Sequence, residues 1–171
     1  MSFFRRCTAL LLLFCVLLLF CSCKSRPPDC LAYQKRAFCA DVSGRLYGET
    51  FGARIFYSPT GEMSVSYTSP DALEGITVTL LCDAEGKVEA HASLGEMTVE
   101  CDPAVLDGWM TPLCAWLLPS PETLARVQRT EEGFCLTFED GVTLFVDAEG
   151  TPVRLEGEDF SFCALRWSFL P

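Results

Sequence analysis

From Phe51 onward the apolar residues of this chain recur every second position. "FGARIFYS" sets Phe51, Ala53, Ile55 and Tyr57 against Gly52, Arg54, Phe56 and Ser58. "EMSVSY" places Met63, Val65 and Tyr67 on one side and serines on the other, and "GITVTLLC" does the same with Ile76, Val78, Leu80 and Cys82. "KVEAHA", "EMTVEC", "FCLTFE", "VTLFVD" and "PVRLEG" keep the rhythm, and "DFSFCALRWSFL" is longer and apolar at both parities. A period of two is the signature of a strand with one buried face. Such a pattern excludes a helical bundle and predicts about ten or eleven antiparallel strands. The connections agree, because "SPTGE", "SLGE", "EEGF", "EDGV" and two copies of "DAEG" each supply glycine where a tight turn needs positive φ. In both copies, Asp83 and Asp147 are read as accepting main-chain hydrogen bonds, with Gly86 and Gly150 left-handed. Neither copy has the oxygen ligands of a calcium loop.

Two stretches depart from that period. "DCLAYQKRAF" reads as one short helix. From Asp102 to Gln128, three acceptor–proline pairs (Asp102-Pro103, Thr111-Pro112 and Ser120-Pro121) look like helix caps followed by Pro at the first helical position. Between them lie Val105, Leu106, Trp109, Met110, Leu113, Trp116, Leu117 and Leu118. One or two short apolar helices are expected there. The last of them is ambiguous, since "TLARVQRT" also alternates like a strand. A single long meander has one apolar face to cover, and twist curls it. The expected fold is therefore mainly β: a curved antiparallel meander, half-open as a barrel, with a short apolar helical lid inserted mid-chain.

The amino-terminal residues address the chain to the envelope. Arg5 and Arg6 precede an apolar run through Phe20, too short to span a bilayer and shaped like a secretory signal. Leu19, Phe20, Cys21, Ser22 and Cys23 fit a lipobox. Cleavage after Ser22 would leave Cys23 as a diacylated N-terminus, and two acyl chains anchor stably at about 0.8 kcal/mol per buried methylene. The competing reading is plain secretion with cleavage near Ser22 or Ser25. The division expected is a signal over 1–22, a lipidated N-terminus and tether over 23–35, and one domain over 36–171. "KSRPPD" would form a stiff extended link. Anchoring would place the protein on the extracytoplasmic face of the cell membrane.

Charge and composition remove several classes. The formal net charge is −10, and loss of Arg5 and Arg6 makes it more negative, so nucleic acid is not an expected partner. The cysteines beyond Cys23 are Cys30, Cys39, Cys82, Cys101, Cys114, Cys135 and Cys163, an odd number without Cys-x-x-Cys or zinc spacing. They read mainly as small core residues, with a Cys30–Cys39 bridge left open. His91 is the single histidine, there is no Gly-x-Ser-x-Gly, and no phosphate loop or metal cluster is visible, so neither enzyme activity nor a cofactor is expected.

The order of signal, lipobox, strands, "TSPDALEGITV", further strands, an apolar interruption and "DAEGTPVRL" resembles the lipoprotein-carrier fold of the LolA, LolB and LppX type. The matching positions are Ser69, Pro70, Leu73, Gly75 and Ile76, then Asp147, Gly150, Pro152 and Val153. The resemblance spans nearly all of residues 36–170. It implies binding or transfer of a lipid, an acylated group or another apolar ligand between sheet and lid. Soluble carriers of that family are not themselves acylated, so an acylated Cys23 points to an anchored lipid handler rather than a shuttle. On this reading Ile55, Val65, Tyr67, Val78, Leu80, Trp109, Leu113, Trp116 and Leu117 would wall an apolar pocket. The alternative is a structural or protein-interaction domain in which the same residues form a filled core.

Overall fold

A computed structural model of the chain describes residues 29–82, 88–102 and 119–171. Eleven strands follow one another: β1 (Phe38–Leu46), β2 (Glu49–Ser58), β3 (Glu62–Ser69), β4 (Ile76–Cys82), β5 (Val88–Leu94), β6 (Met97–Cys101), β7 (Leu124–Arg129), β8 (Gly133–Phe138), β9 (Thr143–Asp147), β10 (Pro152–Glu156) and β11 (Phe160–Phe169). All belong to one antiparallel sheet, ordered β6-β5-β4-β3-β2-β1-β11-β10-β9-β8-β7. The chain lays down one wing as β1–β6 and the other as β7–β11. The wings join where β1 pairs with β11. The strands β6 and β7, consecutive in sequence, thus end up as the two opposite edges, and the sheet does not close.

The alternation read from the sequence selects the inner face. Phe51, Ala53, Ile55 and Tyr57 of β2 are buried, as are Met63, Val65 and Tyr67 of β3; Phe38, Ala40 and Val42 of β1, a strand not singled out from the sequence, join them. Their registers place them side by side: Ala40 faces Ile55, Ile55 faces Val65, and Val65 faces Val78. The apolarity of β11 at both parities has a local cause. Asp41 pairs with Arg166 while Val42 pairs with Ala164, so Leu165 is an extra residue and the phase changes there. Phe160, Phe162 and Ala164 point inward before the bulge, Trp167 and Phe169 after it, and Leu165 is left 70% exposed.

The sheet is strongly curled. Between β2 and β8 lie five strand spacings, about 24 Å if flat. Yet one short segment reaches both: Tyr57 of β2 donates its hydroxyl to the Gln34 carbonyl at 3.0 Å, while Leu31 and Gln34 border a recess with Leu136 of β8. That segment contains a single 3-10 turn, Ala32–Lys35, in place of the short helix expected over this region. Cys30, Leu31 and Tyr33 are buried in the core, so packing begins ahead of residue 36.

Among the described residues no helix is longer than this turn. The lid expected within 102–128 falls mostly on residues 103–118, outside the described residues. Ser120 does cap Pro121–Thr123, accepting from the Glu122 amide at 3.3 Å, but only for one 3-10 turn. From Leu124 the chain is a strand, the second of the two forms that "TLARVQRT" permitted. Pairing with β8 along five positions decides between them. No described helix is long and apolar enough to cross a membrane.

Candidate functional site

The inner face is one apolar surface, filled on one side and open on the other. The filled side begins at Tyr33, whose ring lies 6.2 Å from Phe38 and 6.0 Å, edge-on, from Trp167. Trp167 stacks on Phe38 at 4.1 Å. The turn that carries Tyr33 is tied down by the Tyr57–Gln34 bond, and Gln34 Nε2 donates to the Pro119 carbonyl at 3.1 Å. Beyond it Leu136, Leu144 and Leu155 are fully buried. The exposed Lys35–Asp29 pair at 2.8 Å closes the turn but contributes little energy in water.

On the other wing the same apolar face continues without cover among the described residues. Val78 faces Ala92, and Ala92 faces Val99; Ile76 faces Leu94, and Leu94 faces Met97. Burial falls off along these rows. Val78 is 6% exposed, Leu94 48%, Val99 62% and Met97 66%. Ala90, opposite Leu80, is by contrast completely buried. An exposed apolar run of this kind is a surface on which a ligand or a partner can dock.

Two apolar recesses border the inner face. One, about 320 Å³, opens between the β1–β2 turn and the β3–β4 connection, lined by Leu46, Phe51, Pro70, Ala72 and Leu73 with Tyr47 at its rim. It is near the lower limit for small-molecule sites, roughly 300 Å³. The other, about 270 Å³, lies between the N-terminal turn and the β7–β8 pair, with Leu31, Leu124, Val127 and Leu136 in its lining. A third recess, of about 310 Å³, is polar and open, with Arg45, Glu158, Asp159 and Ser161 around it.

The chemistry of these surfaces is that of apolar contact. No charged or polar residue is buried among the described residues, and no cluster of three or more His, Cys, Asp or Glu side chains could hold a metal there. Burial pushes the phenols of Tyr33, Tyr57 and Tyr67 above their ordinary range. Desolvation likewise raises the Cys30 thiol, with the charge of Asp29 adding to it. No disulfide joins Cys30, which is buried, to Cys39, which is half-buried. His91 faces Thr79 and Glu100 on the outer side of β5.

Of the expected pocket walls, Ile55, Val65, Tyr67, Val78 and Leu80 do share the inner face in adjacent strands. Ile55 and Val65 are completely buried, so they belong to the packed core and not to an open wall. Tyr67 and Val78 are nearly so, and Leu80 is partly open. Trp109, Leu113, Trp116 and Leu117, like Cys23, are outside the described residues. The sequence reading overlooked the recess of Leu46, Phe51 and Leu73, because it forms between loops distant in the chain. It also overlooked Leu31 and Tyr33, although their apolar character beside the expected tether was a visible signal.

No family model matches the sequence, and no curated protein matches it. Among solved structures, the chain is similar to an uncharacterized conserved protein from Thermus thermophilus. The TM-score is 0.53 at 17% identity, over 83% of this chain and 84% of that one. That likeness is one of fold. The chain is also similar, at a TM-score of 0.43, to a putative outer membrane lipoprotein-sorting protein domain from Vibrio parahaemolyticus, with 11% identity over 85% of this chain and 88% of that one. A LolA superfamily protein from Nitrosomonas europaea is similar at 0.43, with 12% identity over 80% and 87%.

Proposed function

We propose that this chain is an envelope lipoprotein, anchored through Cys23, whose curved sheet binds a lipid, an acyl group or another apolar ligand without catalysing a reaction on it. The observation that carries this reading is the unburied inner face of β4–β6, where Leu94, Val99 and Met97 stay exposed on the same side as the core. A soluble domain that needed only stability would have placed polar residues there. The apolar recess beside Leu46, Phe51 and Leu73 offers a second contact for an acyl chain. The lipobox and the resemblance to lipoprotein carriers support the same class of ligand and an extracytoplasmic location. The acidic balance of the chain argues that an anchor, and not electrostatic attraction, would hold it at an anionic membrane.

The test is the intact mass of the natural protein together with organic extraction. A diacylglycerol mass on Cys23, plus a co-purifying fatty acid or phospholipid in fixed stoichiometry, is the expected result. Delipidated protein should then bind dansyl-undecanoic acid saturably. Absence of both co-purified lipid and saturable probe binding would remove the carrier reading.

A second reading is favoured by the complete burial of Ile55 and Val65, which makes this part of the inner face packed core. A filled core with an apolar rim would make this an anchored interaction domain. That reading predicts no lipid and a protein on the exposed face instead.

A further inference from the structure

Among the described residues the two edge strands of the sheet have no second partner, and they differ in charge. The β6 edge carries Glu100, with Glu96 in the turn that leads into it; its four residues Met97–Glu100 are all exposed. The β7 edge carries Arg126 and Arg129, and Ala125–Arg129 are all exposed. Each edge strand pairs on one side only, β6 with β5 and β7 with β8. Among the described residues none of Glu96, Glu100, Arg126 and Arg129 takes part in an ion pair. Exposed edges are templates for another strand, and natural proteins guard them with charge.

The topology fixes how the edges can meet. Every neighbouring pair in the sheet is antiparallel, and ten such pairings separate β6 from β7. An even number of reversals leaves β6 and β7 running in the same direction. A two-fold axis along the strand direction preserves that direction. It brings β6 of one copy beside β7 of the other, twice, with the inner faces continuous. The gap between the edges is identical in both copies, so the two contacts form together. Such a contact is isologous and closes, which stops it from growing into a filament.

The side chains suit this pairing and oppose the others. Outward-facing Glu100 would meet outward-facing Arg126, while inward-facing Met97 and Val99 would meet the inner side of β7, which carries Val127, 40% exposed, and Arg129 at its end. Pairing β6 with β6 would oppose Glu100 to Glu100, and pairing β7 with β7 would oppose arginines; like charges across strands destabilise. We propose that two copies of this chain associate edge to edge, the acidic β6 of each against the arginine-bearing β7 of the other, closing their half-barrels into one two-chain barrel.

The test uses two differently tagged full-length copies, co-expressed and purified through one tag. Wild-type copies should co-purify, and their native mass should be that of a dimer. Glu100→Lys paired with itself, or Arg126→Glu paired with itself, should lower co-recovery by about tenfold, because charges are reversed at both contacts. Glu100→Lys paired with Arg126→Glu should restore it to within about twofold, since both contacts are complementary again. If either variant folds poorly, as judged by its urea midpoint, Glu100→Arg with Arg126→Asp supplies the same comparison. A monomeric wild-type protein overturns the proposal. A mixed pair recovered no better than the matched variants also overturns it, and shows that the charges only guard the edges.

Discussion

The Tyr57 hydroxyl donates to the Gln34 carbonyl across 3.0 Å, joining a strand of the sheet to the turn that lies in its hollow. This bond ties the N-terminal segment to the concave face from one side, and Gln34 Nε2 ties it to Pro119 from the other. Tyr57→Phe keeps the ring against Phe38 and removes only the donor. The expected loss is about 1 kcal/mol, because the Gln34 carbonyl loses its partner in a half-buried place. Urea unfolding should show a lower midpoint at unchanged slope. An unchanged midpoint would mean that water replaces the hydroxyl freely.

Core and rim should separate cleanly under mutation. Ile55→Ala empties a fully buried position and should cost about 2–5 kcal/mol while leaving binding of an apolar probe unaltered. Met97→Lys changes a residue that is 66% exposed and should move stability by less than about 0.5 kcal/mol. It should nevertheless reduce the fluorescence of an apolar dye bound to the protein. Probe binding lost in Ile55→Ala and kept in Met97→Lys would place the ligand surface in the wrong part of the sheet.

Stability should fall steeply in alkali. Unfolded phenols ionise near pH 10, and burial holds those of Tyr33, Tyr57 and Tyr67 protonated beyond that point. The folded state then binds more protons than the unfolded one, so unfolding becomes easier as pH rises above 10 and is insensitive to these groups below it. Tyrosinate absorbance during an alkaline titration should rise in step with loss of the near-ultraviolet circular dichroism signal. Full ionisation of every tyrosine with the fold intact would contradict this.

The turn after β9 depends on one carboxylate. Asp147 Oδ1 accepts from the amides of Glu149 at 3.0 Å and Thr151 at 2.7 Å, and Gly150 sits at φ 83°. Asp147→Ala should cost about 2 kcal/mol, and Asp147→Asn should recover part of it, since an amide oxygen still accepts. Thermal unfolding of the pair, read side by side, checks this. Equal melting for both variants would assign the effect to charge instead.

That turn was legible from "DAEGT" alone, because its bonds join residues two to four apart. So were the inner faces of β2, β3 and β4, where every second residue is apolar. The phase change in β11 was not. "DFSFCALRWSFL" shows apolar residues at both parities, and only the pairing of β1 with β11 reveals that Leu165 is the one pushed out. The candidate site was legible only as a face: Val78 and Leu80 lie on the inner side of the sheet, but nothing local tells that Ile55, two strands away, is sealed while Val99, two strands in the other direction, is exposed.

The sequence by itself determined the strands β2–β6 and β8–β11 and which side of most of them is apolar, since these depend on residues a few positions apart and on backbone sterics, but it passed over β1 and left β7 between two forms. It also carried the lipobox pattern at Cys23. Only the tertiary structure decided that β1 and β11 join the two wings, that Tyr33 occupies the hollow, and that β6 and β7 are left as opposite edges of unlike charge. Those outcomes depend on long-range packing, in which a curled sheet must bury one face against whatever part of the chain reaches it first.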